Sequence, residues 1–200
     1  MARPLNAIAP AAAVLLVLTS SARACPTTMP PREGWSAPPS GQRSADGRFI
    51  VMMIPHHEGA IAMADLALQR SRRPEIRTLA EGIRASQSNE NEVMRRWYRQ
   101  WYGTEVPSWS GANQGMGMGM GMGMPGFPTS LEALRGAADF DRAFLEQMIA
   151  HHRMGVMMAT HAQWGTVHPE LRQLEAAMVR AQSEEIDQMA RWYRQWYQGG

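Results

Sequence analysis

The chain has 200 residues and a formal charge of +2, with 20 arginines, no lysine and 18 acidic residues. That length makes one domain or two small ones, and the near-balance of charge excludes the basic field on which nucleic-acid binding depends. The single cysteine excludes an internal disulfide and any CxxC motif for zinc or redox chemistry.

Residues 1–24 carry Arg3, an apolar run from Ala7 to Leu18 and the small-x-small triplet Ala22-Arg23-Ala24. This is the pattern of a secretory signal cut after Ala24. The run is shorter than the roughly 20 apolar residues of a spanning helix, and no other stretch approaches that length, so no transmembrane segment is expected in the mature chain. The expectation is an exported, periplasmic protein beginning at Cys25. A lipid anchor on Cys25 is the alternative, which the preceding residues suit less well than ordinary cleavage. Removing the signal takes away Arg3 and Arg23, leaving 18 arginines against 18 acids, so the full-chain pI of 9.1 overstates the basicity.

Residues 25–45 hold five prolines and little periodic apolar content, which predicts an extended leader without packing. From Asp46 the period becomes helical. Phe49, Met52, Met53, His56, His57, Ala60, Met63, Ala64 and Ala67 fall on one face, as a core-facing stripe does. Pro55 has no N–H to donate and is expected to kink this helix, or to start it afresh, just before the histidines. Pro74 opens a second helix with Glu75 in its first turn, and Gly103 ends it after Tyr102. Residues 46–102 thus form one helix pair.

Residues 103–138 contain five consecutive Gly-Met dipeptides, Gly115-Met116 through Gly123-Met124, followed by Pro125-Gly126-Phe127-Pro128. Alternating glycine does not hold a helix, so a flexible loop is expected here. Residues 139–197 form a second helix pair, with Pro169-Glu170 opening its second helix and Gly199-Gly200 ending it. The prediction is an all-α fold, an antiparallel four-helix bundle with short turns inside each pair.

The second pair is a copy of the first. Adding 95 to any number from Asp46 to Tyr102 gives its counterpart between Asp141 and Tyr197, with 24 identities in 57 positions and no gap. These tandem repeats share both histidine pairs (His56-His57 and His151-His152), Met53/Met148, Met63/Met158, Glu90/Glu185, Met94/Met189 and the run Trp-Tyr-Arg-Gln-Trp-Tyr at 97–102 and 192–197. A duplicated unit is read unit by unit, and each unit offers imidazole and thioether in groups.

That donor set points to a soft metal. Cu(I) prefers thioether and thiolate and accepts imidazole, whereas hard cations want the carboxylate oxygens that the stripe around His56 lacks. Residues spaced by three, four or seven along a helix share a face and can close on one ion. The candidate ligands are therefore Met53, His56, His57, Met63, Met148, His151, His152, Met154, Met158 and His161. Met52, Met94, Met116, Met118, Met120, Met122, Met124, Met157 and Met189 are auxiliary candidates. A methionine at a core position is commonly a gap-filler, and it is the recurrence of two His-His pairs that favours metal over packing. The Gly-Met run reads equally as a tether or as a copper-catching loop; thioethers survive oxidising surroundings that would consume a thiol. Glu90 and Glu185 are either partners that hold histidine tautomers or exposed acids. The paired Trp97/Trp101, Tyr98/Tyr102 and their copies are read as packing, with an indole over a cuprous ion or a dimer contact as the alternatives.

The string Phe49-x-x-x-Met53-Ile54-Pro55-His56-His57-x-Gly59-Ala60-Ile61-x-Met63-Ala64, followed by Gln87-Ser88-x-Glu90 and Met94, resembles the bacterial family known as domain of unknown function 305. The resemblance spans Asp46 to Tyr197 in two copies. It implies a ferritin-like bundle of the kind found in exported copper-binding proteins of the CopM type, which protects the cell envelope from copper. The second copy departs from the pattern, with Ala150 in place of the proline and Arg153-Met154-Gly155 in place of Glu-Gly-Ala. The resemblance carries to His151, His152 and Met158; Met154, Met157 and His161 rest on helix geometry alone.

The reading is a non-enzymatic exported protein that sequesters copper or passes it on, as Cu(I) first and Cu(II) second, to a copper exporter or another envelope copper protein. A metal-free structural or partner-binding bundle is one alternative. A ferritin-like di-iron oxidase is another, disfavoured because no Glu-x-x-His motif occurs.

Overall fold

The computed structural model describes residues 44–107 and 131–198. The signal segment, the leader to residue 43 and the Gly-Met run lie outside the described residues. Helix α1 spans Ala45–Arg70 and α2 Pro74–Tyr102; a short α3 spans Leu131–Gly136, α4 Phe140–Ala162 and α5 Pro169–Tyr197. The described residues contain no strand.

Local chemistry explains the boundaries. The Ser44 side chain accepts from the Gly47 N–H at 3.1 Å and the Asp139 carboxylate from the Arg142 N–H at 3.1 Å, capping α1 and α4. Pro74 and Pro169 open α2 and α5 with no lost donor, and Glu75 and Glu170 meet the positive helix ends. Gly103 ends α2 at φ +66°, a conformation that glycine enters without steric cost.

Two expectations need amendment. Pro55 does not start the helix afresh, since α1 runs continuously through it. The end of the 103–138 linker is also structured: α3 sits inside it, with Leu134 fully buried against α1 and α4.

The four long helices form an antiparallel bundle of two helix pairs, α1 with α2 and α4 with α5, and the pairs meet through α1 and α4. Two hydrophobic cores result. One gathers Met63, Leu66, Ile76, Leu79 and Ile83 from the first pair with Phe140, Phe144, Leu145, Met148 and Met189 from the second. The other gathers Phe49, Ile50, Met53, Ile54, Met94 and Tyr98 with Ala159, Leu171 and Met178. Each core thus draws on both repeats. Phe144 is fully buried in the first. Phe144→Ala is expected to cost about 3–5 kcal/mol, read as a lower urea midpoint at unchanged slope; a cost under about 1 kcal/mol would mean that this core is not close-packed.

The aromatic helix ends are packing elements, and each is locked by a residue at an equivalent position. Trp101 stacks on His168 with centroids 3.7 Å apart, and Asp46, fully buried, accepts from the backbone N–H groups of Val167 and His168 and pairs with the His168 ring. At the counterpart positions, the Arg73 guanidinium lies 4.1 Å from the Trp196 centroid and its Nε is 3.3 Å from Asp141. His168 therefore ties the start of α5 to α1 and α2.

Candidate metal centre

Where α1 crosses α4, the His56 and His151 rings lie 3.8 Å apart. The His56 Nε2–H donates to the His151 backbone carbonyl at 3.1 Å, and His151 bonds in turn to the His56 backbone. Small residues admit the rings. A Cβ on Gly59 would stand 3.2 Å from His151 Nε2, and one on Gly155 would stand 3.0 Å from His56 Cε1 and run into Gln182 Oε1.

The neighbouring histidines are fully buried. The His57 Nε2–H donates to Glu90 Oε2 at 2.7 Å, and the His152 Nε2–H donates to Glu185 Oε2 at 2.6 Å. Each carboxylate comes from the outer helix of its own repeat, 33 residues on. With Nε2 carrying the proton in each ring, Nδ1 keeps its lone pair. The Nδ1 atoms of His56, His57, His151 and His152 are all buried and meet no donor. Gln87 Oε1 and Asn91 Oδ1 on α2, Gln147 Oε1 on α4 and Gln182 Oε1 on α5 are buried acceptors in the same condition. A buried acceptor without a donor costs about 1–3 kcal/mol, so each of these atoms is a place where a cation or an ordered water would be stabilising.

Burial and the neighbouring histidines push His56 down to about 3, and burial with the same neighbours holds His151 well below the ordinary imidazole range. Glu175 shifts oppositely: burial raises it to about 7, against the hydrogen bond from Thr166. The signs give a testable pH profile. Between about 6.5 and 4.5 the unfolded chain protonates the two imidazoles, while the folded chain holds a proton on Glu175 that the unfolded chain lacks. The net difference is one proton taken up on unfolding, so the copper-free protein loses about 1.4 kcal/mol per pH unit on acidification. Below about 4.5 Glu175 no longer offsets the imidazoles and the loss steepens. Urea unfolding at pH 7, 5.5 and 4 reads this; stability that holds flat or rises on acidification contradicts it.

The methionines divide between the two cores. Met53, Met94 and Met158 share one, together with Met178, and Met63, Met148 and Met189 share the other, so both sets draw on both repeats. Met53, Met94, Met148 and Met189 are fully buried. Met52 and Met154 are half-buried and belong to neither core. The structure does not bring His161 or Met157 into the buried group; both are exposed near the end of α4. Met116, Met118, Met120, Met122 and Met124 lie outside the described residues. Among the described residues, no three His, Cys, Asp or Glu side chains are placed to hold one ion. A site built here therefore needs sulfur or amide oxygen beside imidazole. The buried Gln87 and Gln182 went unnamed among the sequence candidates, although their identity across the 95-residue repeat was a signal.

Residues 46–193 match the family model described as domain of unknown function (DUF305). A structure of CopM in the Cu(I)-bound form is 42% identical, covering 78% of this chain and 99% of that one, with a TM-score of 0.66. CopM in the Cu(II)-bound form is 45% identical, covering 76% and 97%, with a TM-score of 0.67. A DUF305 protein from Streptomyces coelicolor is 30% identical, covering 76% and 93%, with a TM-score of 0.64. No curated protein matches the chain.

Proposed function

We propose that this chain, which belongs to the DUF305 family, is an exported copper-binding protein that sequesters Cu(I), and secondarily Cu(II), or hands it on within the envelope. The observation that carries the reading is the layer of four imidazoles whose Nδ1 lone pairs are buried and unpartnered. Imidazole must be neutral to ligate, and the depressed basicity of His56 and His151 keeps them so well below neutrality. Glu90 and Glu185 fix the tautomers of His57 and His152 and make Nδ1 a better donor. Thioethers from Met53, Met94 and Met158, and from Met63, Met148 and Met189, supply the soft donors that favour Cu(I).

The same geometry speaks against a di-iron oxidase. The two carboxylates nearest these histidines are engaged at Nε2 as hydrogen-bond acceptors, and no Glu-x-x-His spacing adds others. We therefore take the protein to be a non-enzymatic carrier, with copper ions as cargo and a copper exporter or another envelope copper protein as recipient. Export rests on the signal-like residues 1–24, and no helix among the described residues is long and apolar enough to cross a membrane. The test is metal analysis of the purified chain after competition with a Cu(I) chelator. Retained copper supports the reading; iron retained in its place, or no metal, overturns it.

A further inference from the structure

The last two turns of α4 carry donors that the buried layer does not use. Met157 is 58% exposed and Trp164 88% exposed, and His161 between them is exposed as well. Met157 and His161 are four residues apart inside α4, so their side chains are neighbours on one helix face. Trp164 follows in the tight turn closed by its N–H to the His161 carbonyl at 3.4 Å and by Gly165 N–H to Ala162 at 2.9 Å.

The set is not a by-product of duplication. The counterparts 95 residues earlier are Ala62, Leu66 and Gln69, which offer neither thioether nor imidazole, and Leu66 is buried where His161 is exposed. A single exposed apolar side chain is ordinary on a protein surface; what sets this stretch apart is a thioether and an imidazole at adjacent places on one exposed helix face, with an exposed indole three residues on.

We infer that Met157 and His161 form a second, solvent-facing soft-metal site on α4, with the Trp164 indole beside it. A thioether and a neutral imidazole suit a d10 monocation such as Cu(I) or Ag(I), and an indole face adds attraction for a cation. Being exposed, the site exchanges its ion with solvent or a partner faster than the buried layer does, and so serves as the point of uptake and hand-off. The inference takes its choice of ion from the copper reading but rests on different residues.

Ag(I), which does not change oxidation state here, is the probe. It is titrated into the full chain carrying 13C-methyl methionine, with the Met157 signal assigned through Met157→Leu. The expected result is a shift of the Met157 methyl and a change in Trp164 emission, defined by difference from Trp164→Phe. Both are lost in His161→Ala, while the Met53 and Met148 methyls still respond. Because these positions are on the surface, the variants keep the fold. A Met157 methyl that stays put while Met53 and Met148 saturate would overturn the inference, as would a Met157 shift that His161→Ala leaves unchanged. A response at Met157 with none at Met53 and Met148 would support this site and sink the buried one.

Discussion

A chain carrying His57→Gln and His152→Gln is expected to bind Cu(I) at least about 100-fold more weakly than the native chain. Glutamine is chosen because its amide can still donate to Glu90 or Glu185, so the half-buried carboxylate keeps a partner and the fold is spared. What disappears is the Nδ1 lone pair, unpartnered in both rings of the native protein. Alanine would remove the donor as well, leaving each carboxylate without the N–H it accepts, a loss of about 1–3 kcal/mol. The readout is competition with a colorimetric Cu(I) chelator, with circular dichroism to confirm the helices. Affinity within a factor of two of native would show that these rings pack and do not ligate.

The second large effect is expected at the carboxylates. Glu90→Gln and Glu185→Gln, each alone, should weaken copper binding by roughly 10- to 100-fold, the range found when the partner of a ligating histidine is removed. The mechanism is a less basic Nδ1 and a less firmly held tautomer, since Glu90 and Glu185 accept at 2.7 and 2.6 Å from otherwise solvent-free rings. The pseudo-equivalence of the repeats adds a constraint: the two variants should resemble each other. An effect at one glutamate and none at the other would mean that only one half holds the ion.

Much of the architecture was legible in the sequence because the duplication states it twice. Pro74 and Pro169 marked two helix starts, Gly103 marked a helix end, and the shared stripe marked the buried faces. The pairing of donors was less legible. On a single helix, Met63 stands on the His56 face and Met158 on the His151 face, so local spacing points each to its own repeat's histidine. Seven residues are also about 10 Å along the axis, enough to carry each sulfur past the crossing of α1 and α4. Met63 therefore packs with Met148 and Met189, and Met158 with Met53 and Met94. Only a crossing point, which no local period encodes, decides that exchange. His161 shows the converse: helical spacing placed it near His151, yet it lies at the exposed end of α4. The role of His168 was equally hidden, because its partner Asp46 lies 122 residues away. The glutamate partners were half visible, in the recurrence of Glu90 and Glu185, but the sequence did not separate a bonded acid from a solvated one.

The central claim concerns one atom in each of four rings. In protein labelled with 15N-histidine, two-bond proton–nitrogen correlation spectra distinguish a protonated ring nitrogen from a bare one. Before copper is added, His57 and His152 should show a bare Nδ1 and a protonated Nε2. On saturation with Cu(I) under anaerobic conditions, Nδ1 should move upfield while Nε2 stays protonated on its glutamate. Nδ1 signals unchanged at saturation, with only His161 and the exposed methionines responding, would contradict the account.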